Sequence, residues 1–262
     1  MMRNDIKAVI SAEVFKARRR RSTVIVPAVT ALVSVLLFFA IDFAAGREWI
    51  GVSSGFYLTS SALGWIVNLI GLLAVIATCF QISGEFAYGT VKPAWVRPLS
   101  RESWYFGKLA SVVGAVTAVF LISIAVIVLL SSIKPGYSDL MEKNYLVHSA
   151  GEMGGRLALV SLLTLWALWA VIVVTSLVAS VFNRPGGAIA TVIVISLMMT
   201  ILTMFPAVKP ILLTTSLTEP FEQMTFMSKG LPLPYEWGTL VRRSAACSSL
   251  WLAGTMIPAL YI

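Results

Sequence analysis

Residues 22–41 read STVIVPAVTALVSVLLFFAI, a run of twenty residues without a charged side chain. A helix needs about 20 mostly apolar residues to cross the hydrocarbon core of a membrane, so this run predicts a membrane-spanning helix. The run is longer than the roughly 7–15 residue apolar core of a cleaved signal peptide, and no small-residue cleavage site follows it. We therefore expect the segment to remain in the mature protein as its first span.

Five further charge-free runs follow along the chain. One of them, residues 49–84, is too long for a single span, and its Gly- and Ser-rich part at residues 51–61 is predicted to be a loop. The six predicted spans are residues 22–41, 62–82, 109–133, 157–183, 185–206 and 244–262. They occupy most of the chain, so the sequence predicts an all-α polytopic membrane protein with one domain over residues 1–262.

The composition supports an integral membrane protein and excludes several classes of site. Hydrophobic residues make up 58% of the chain and charged residues only 12%, about half the charge of an ordinary soluble domain. The two cysteines lie in apolar runs, and the single histidine, His148, lies in a predicted outer loop, so we expect neither a disulfide nor a metal site. No phosphate-binding loop motif occurs, so the chain is not expected to hydrolyse ATP or to bind a cofactor.

The basic residues are distributed unevenly between the two membrane sides. With a cytoplasmic N-terminus, twelve of the twenty Lys and Arg residues and four of the twelve acidic residues fall in cytoplasmic segments. Because cytoplasmic loops carry an excess of Lys and Arg, we expect both termini to lie in the cytoplasm and the protein to lie in the cytoplasmic membrane. Arg242 and Arg243, just before the last span, are on the side predicted to be outer.

The N-terminal arm over residues 4–21 is predicted to be an interfacial amphipathic helix. The apolar side chains on one face of this helix are Ile6, Val9, Ile10, Val14 and Ala17. The basic run that ends it is Arg18, Arg19, Arg20 and Arg21. Such a helix lies in the membrane surface with its cations on anionic lipid, so the arm is interpreted as a topology anchor, with a docking surface for a cytoplasmic partner as the alternative. Nucleic acid is not an expected partner, because the basic run has no interleaved aromatic residues.

The segment at residues 84–108 reads GEFAYGTVKPAWVRPLSRESWYFGK and is the most informative part of the chain. It is predicted to be a cytoplasmic loop that is short, aromatic and stiffened by Pro93 and Pro98. Glu85 lies where the second span leaves the membrane, close to basic residues that can neutralise it. A loop with partly fixed backbone angles is suited to transmit force between a partner and the spans.

This segment resembles the coupling loop of the ABC-2 type permeases of the type 2 exporters. The positions that match the family's motif are Glu85, Gly89, Thr90, Pro98, Arg101 and Lys108. The resemblance implies that two permease chains assemble with two copies of a separate ABC ATPase, whose surface groove receives a coupling helix from residues 83–108. It also implies a translocation path between the two permease copies, lined by the second and fifth spans.

Two polar residues in the second span and one outer segment complete the candidate sites. Asn68 and Gln81 are expected to form hydrogen bonds between helices, with contact to a transported substrate as the alternative. The segment between Pro206 and Arg243 is broken by prolines, so short re-entrant or interfacial helices are expected there. The acidic residues of that segment are expected at a solvated outer rim, with attraction of a cationic substrate as the alternative, and they are Glu219, Glu222 and Glu236.

The sequence therefore predicts the permease subunit of an ATP-driven ABC exporter, itself not an enzyme. Its expected partners are a separate ATPase subunit, a second permease (an identical copy or a related chain) and the lipid membrane. The substrate is expected to be hydrophobic or amphipathic (a drug, an antimicrobial peptide or a lipid), and efflux, antibiotic resistance and self-immunity are all compatible with that. The alternative is a membrane channel, secondary carrier or assembly factor that needs no ATPase. The absence of buried carboxylates from the predicted spans favours the ATP-driven class, because ion-coupled carriers use such groups to bind the ion.

Overall fold

The computed structural model of the chain describes residues 2–19, 21–45, 54–87, 101–134, 136–142, 145–231, 233 and 236–259. Within these residues the chain forms eight α-helices, one β-hairpin and one turn of 3-10 helix. The helices are α1 Met2–Arg19, α2 Ser22–Ala45, α3 Gly55–Ala87, α4 Arg101–Ile133, α5 Ala150–Val181, α6 Pro185–Leu202, α7 Leu213–Ser228 and α8 Trp237–Ala259. The remaining elements are the antiparallel strands β1 Leu140–Glu142 and β2 Tyr145–His148 and the 3-10 turn Lys209–Ile211.

Five of these helices are long and apolar enough to cross a membrane. The qualifying segments are Thr23–Ala45, Gly55–Ala87, Glu102–Ile133, Ala150–Val181 and Pro185–Leu202. They confirm the prediction of a helical, multi-pass membrane protein. The sixth span at residues 244–262 is not among them and stays a prediction, as does the position of α1 in the membrane surface.

Helix α3 begins earlier than its sequence indicates. The prediction of a loop over residues 51–61 is wrong from residue 55 onward, because α3 starts at Gly55. Small polar residues are indifferent helix formers, but here they contact neighbouring helices: the Thr59 hydroxyl donates to the Ser131 hydroxyl at 2.8 Å. A Cβ at Gly55 would lie 2.6 Å from the carbonyl oxygen of Gly136, so glycine permits this close approach.

Helix α3 is the centre of the bundle and packs against α4, α5 and α7. Gln81 contacts Ser111 towards one end of the α3–α4 pair and Thr59 contacts Ser131 towards the other, so the two helices are antiparallel. We call the end with α1 and Ala87 the α1 end of the bundle. The opposite end, with Gly55 and the β-hairpin, is called the hairpin end.

Helix α7 returns into the bundle alongside α3. The Thr225 hydroxyl donates to the Ser60 hydroxyl at 3.0 Å near the hairpin end, while Leu217 packs over Gly71 in the middle of α3. Helix α7 therefore begins level with the middle of α3 and runs towards the hairpin end. Of the two arrangements predicted for this segment, the re-entrant one describes this course.

Helix α8 packs against α5 and α7 and runs parallel to α5. The Arg156 guanidinium lies 5.2 Å from the centre of the Trp237 ring, and the Trp166 indole donates to the Ser249 hydroxyl at 3.2 Å. Both contacts advance in the same direction along the two helices. A parallel α5 and α8 is what alternating crossings require of the fourth and sixth of six spans.

The prediction that Glu219 lies at a solvated rim is wrong. Its side chain is only 5% exposed and pairs with Lys209 at 3.2 Å and with Arg243 at 3.8 Å. The pairing is possible because α7 folds back into the bundle, which places Glu219 against the start of α8. Glu222 and Glu236 are exposed.

Candidate functional site

The predicted coupling residues fall partly within the described structure. Glu85 lies in the last turn of α3, Arg101 begins α4, and Lys108 lies two turns further along α4. Gly89, Thr90 and Pro98 lie outside the described residues, as does Arg20 of the basic arm. The structure therefore describes the two helices that flank the predicted coupling segment, α3 before it and α4 after it.

A cluster of ion pairs joins α1, α3 and α4 at the α1 end, and we call it the junction cluster. Its central group is the Lys108 ammonium, which lies 2.5 Å from a carboxylate oxygen of Glu85 and 3.0 Å from one of Glu13. Lys16 closes the cluster, at 2.9 Å from Glu13 and 3.7 Å from Glu85. Among the described residues, the cluster therefore sets two lysines against two carboxylates.

The antiparallel packing of α3 and α4 brings Glu85 and Lys108 together. One turn deeper, the Gln81 amide donates to the Ser111 hydroxyl at 3.2 Å, which is the interhelical hydrogen bond predicted for Gln81. Asn68 instead donates to the carbonyl of Gly64 in its own helix at 3.0 Å and lies on an exposed face. The motif residues Glu85 and Lys108 are thus one layer of a polar seam between the two helices.

Helix α1 reaches the cluster because Gly107 has no side chain. A Cβ on Gly107 would lie 2.6 Å from both Cβ and Cγ1 of Val9, well inside van der Waals contact. Val9 is buried at this crossing, while Val14 and Phe15 point outwards. The Val9 contact sets Glu13, one turn later on α1, against Lys108.

Burial decides the electrostatics of the junction cluster. The Lys108 side chain is only 3% exposed, and a buried ammonium is costly unless carboxylates and hydrogen bonds compensate it. Burial by itself would raise the pKa of Glu13, but the hydrogen bonds and charges of Lys16 and Lys108 outweigh it and hold that pKa below its usual value. The Trp104 ring, 5.4 Å from the Lys108 nitrogen, covers the cluster on another side.

Sequence reasoning named Glu85 and Lys108 but missed Glu13 as a member of the site. The signal was present, because position 13 continues the apolar face of α1 through Ile6 and Val9 at helical spacing. A carboxylate on an apolar face needs a buried cationic partner.

In the basic run that ends α1, Arg18 and Arg19 are exposed, and the Arg19 guanidinium lies 4.4 Å from the centre of the Phe15 ring.

The junction cluster is built from ion pairs, and the described side chains that meet in it are two lysines and two carboxylates. Among the described residues, no group of three His, Cys, Asp or Glu side chains could hold a metal ion. The cluster joins α1, α3 and α4 beside the last turn of α3 and the first turns of α4.

Comparison with protein families identifies the family to which the chain is similar. The family model described as "ABC-2 family transporter protein" matches residues 9–153, which is more than half of the chain. The matched range contains every member of the junction cluster. A comparison with curated proteins found no match.

The first prediction concerns the buried charge of Lys108. Lys108→Gln removes the buried ammonium that Glu13 and Glu85 share, so we expect a loss of about 3–5 kcal/mol of stability. The measurement is thermal unfolding of the purified chain in detergent. Lys134→Gln is the matched control, because Lys134 lies at the other end of the same helix and its side chain is 74% exposed. Equal stability of the two variants would contradict the junction cluster.

The second prediction concerns the contact between α1 and α4. Gly107→Ala places a methyl group against Val9, so we expect α1 to be displaced, with a lower unfolding temperature and faster tryptic cleavage at Arg18 and Arg19. Gly114→Ala, two turns further along α4, is the control, because a Cβ there meets nothing within 4 Å. If Gly107→Ala behaves like Gly114→Ala, the close approach of α1 is refuted.

Proposed function

The chain belongs to the ABC-2 family of transporter proteins, and from this premise we propose that it is the membrane subunit of an ATP-driven exporter. The family is that of ABC-type permeases, whose membrane component is generally non-catalytic. The proposal adds a separate ATPase subunit, a second permease copy, and a hydrophobic or amphipathic substrate. It also adds the cytoplasmic membrane as the location, with the N-terminus in the cytoplasm.

The observation that carries the proposal is the junction cluster. Glu85 lies in the last turn of α3 and Lys108 lies near the start of α4, so their 2.5 Å contact joins the two helices that flank residues 88–100. Glu13 ties α1 to the same point. A force applied to that segment is therefore delivered to α1, α3 and α4 together, instead of being lost in the bending of one helix.

An external energy source fits the size of the movement. Shifting a two-state equilibrium from 1:99 to 99:1 requires a differential binding energy of about 5.5 kcal/mol, which nucleotide binding and hydrolysis can supply. Glu219 is the observation that favours the alternative, a carrier driven by an ion gradient, because it is a buried carboxylate. Its ion pairs with Lys209 and Arg243 already neutralise it, so we prefer the ATP-driven mechanism.

The exposed face of α3 supports assembly with a second copy. Trp65 is 68% exposed on this face, and the polar Asn68 lies beside it in a groove between α3 and α7. Helix α6 presents exposed Leu197 and Ile201. An exposed amide in a spanning helix is stabilised by a polar group of another helix. We propose that these faces of α3 and α6 meet the partner copy and border the translocation path.

The third prediction tests the ATPase partnership. The chain is co-expressed with an ABC ATPase from the same organism, and the two proteins are expected to co-purify and to transport a fluorescent amphiphile out of vesicles with ATP. Glu85→Gln keeps the side-chain volume but removes one carboxylate from Lys108, so we expect transport per ATP hydrolysed to fall about tenfold. Asp42→Asn is the control, because Asp42 contacts Lys134 at the hairpin end. Transport by the purified chain alone would refute the proposal.

The fourth prediction tests the orientation. A cysteine at Ser11, exposed on α1, should react with a membrane-impermeant maleimide only after the cells are opened. A cysteine at Ser138, exposed at the hairpin end, should react in intact cells. Cys79 and Cys247 are buried and provide the background rate. The reverse pattern would place the junction cluster outside the cell, where no ATPase could act on it.

A further inference from the structure

A second charged cluster lies between the 3-10 turn, α7 and α8, and we call it the inner cluster. Glu219 of α7 accepts ion pairs from Lys209 at 3.2 Å and Arg243 at 3.8 Å. Lys209 is about one-third exposed and Arg243 about one-fifth, whereas Glu219 is almost completely buried. The two cations are thus reachable from the surface while their shared carboxylate is not.

The position of the inner cluster along α3 places it at membrane depth. Phe221 packs over Gly64 and Leu217 over Gly71, so Glu219 is level with a point between these glycines. At 1.5 Å per residue that level is about 20 Å from Gly55, along a helix about 50 Å long. A hydrocarbon core of about 30 Å centred on α3 therefore contains the inner cluster.

Among the described residues, the inner cluster contains two cations and one anion. Lys209 and Arg243 contribute two cations and Glu219 one anion. The next carboxylate on α7, Glu222, lies on another face and lines the groove with α3. Because charge at membrane depth is costly and is retained where it has a function, the geometry favours a further anion at this site.

Unused hydrogen-bonding groups continue the same side of α7. Gln223 follows Glu219 by one turn and is 2% exposed, yet neither its amide nitrogen nor its amide oxygen has a hydrogen-bond partner among the described residues. The Thr215 hydroxyl, one turn before Glu219, is likewise without a partner there. Buried polar groups of folded proteins are normally hydrogen-bonded, and a polar ligand at this site would provide partners for these donors and the amide acceptor.

The surroundings of Lys209 suit an amphiphile better than a free ion. The neighbouring side chains Phe205, Val208 and Ile211 are exposed and apolar. The Ile211 carbonyl accepts from the Trp251 indole at 2.9 Å, which fixes this segment against α8 at membrane depth. A ligand whose charged head lies on Lys209 and Arg243 can therefore place an acyl chain along these residues.

We propose that the inner cluster binds the phosphate head of an anionic amphiphile, held below the membrane surface by Lys209 and Arg243. Gln223 and Thr215 supply hydrogen bonds, and Glu219 is the internal anion with which the phosphate competes. Applied to transport, the proposal identifies the class of substrate, and in this respect it rests on the proposed exporter function. The binding itself requires the membrane chain alone.

The fifth prediction is therefore tested without any ATPase. The purified chain in neutral detergent is titrated with phosphatidylglycerol and, separately, with phosphatidylcholine, and bound lipid is counted by native mass spectrometry. We expect about tenfold tighter binding of phosphatidylglycerol, the equivalent of one charge-assisted hydrogen bond. Lys209→Gln and Arg243→Gln should each remove this preference. Arg242→Gln should keep it, because Arg242 is exposed and donates to the carbonyl of Gly238 in its own helix.

Glu219→Gln separates a ligand site from a purely structural ion pair. Removing the competing carboxylate should strengthen phosphatidylglycerol binding, with Lys209→Gln still abolishing the preference in the same background. A native chain without preference, or an equal loss in Arg242→Gln, would overturn the proposal. Weaker binding of phosphatidylglycerol by the Glu219→Gln chain would also overturn the proposal, provided that its unfolding temperature shows that the chain is folded.

Inorganic phosphate distinguishes the source of the anion. If phosphate alone displaces phosphatidylglycerol in proportion to its concentration, the site recognises a free anion, and the lipid assignment is overturned. If phosphate fails to displace the lipid, the acyl chain contributes as Phe205, Val208 and Ile211 predict. If the chain prefers phosphatidylglycerol but does not co-purify with the ATPase, the lipid site is supported and the exporter function is refuted. If the chain co-purifies with the ATPase but shows no lipid preference, the lipid site is refuted and the exporter function stands.

Discussion

A buried ammonium group must have its charge compensated, and this constraint organises the α1 end of the protein. Lys108 receives one carboxylate from α3 and one from α1. The ion pairs can form only if α1 crosses α4 at Gly107 and if α3 ends beside the start of α4. One charge thereby fixes the positions of three helices, where an apolar contact of the same size would tolerate sliding. The cost of breaking either pair inside the bundle maintains this geometry.

The multi-pass helical fold could be predicted from run lengths, because a spanning helix must be apolar over the thickness of the membrane whatever its neighbours are. The start of α3 could not, because residues 55–61 have weak intrinsic preferences and become helical through contacts with Ser131 and Gly136. For the segment that forms α7, the sequence predicts a re-entrant or an interfacial helix and does not decide between the two. Its depth depends on Gly64 and Gly71 of α3, which admit Phe221 and Leu217.

The sites show the same division between local pattern and tertiary contact. Glu85 and Lys108 belong to a recognisable spacing, and their pairing follows from two antiparallel helices. Glu13 required knowledge of which helix α1 crosses. Glu219 was assigned to a solvated rim because an acidic residue in a proline-broken segment is ordinarily exposed; only the return of α7 into the bundle brings it to Arg243. Sequence thus identified charges on continuous helices better than charges whose partners come from an irregular segment.

Helix α3 connects the two charged clusters, which differ in a way that bears on their roles. In the described part of the chain, the junction cluster sets two lysines against two carboxylates and encloses Lys108, so it is suited to hold helices together. The inner cluster sets two partly exposed cations against one buried carboxylate among the described residues, which suits the exchange of anions that we propose. Both are attached to α3, at Glu85 and through the helix α7 that packs over Gly64 and Gly71. A displacement of α3 as a rigid body therefore moves Glu85 together with the surface at Gly64 and Gly71 against which α7 packs. In the exporter that we propose, this connection would carry a force applied at the α1 end to the contact of Glu219 with Lys209 and Arg243.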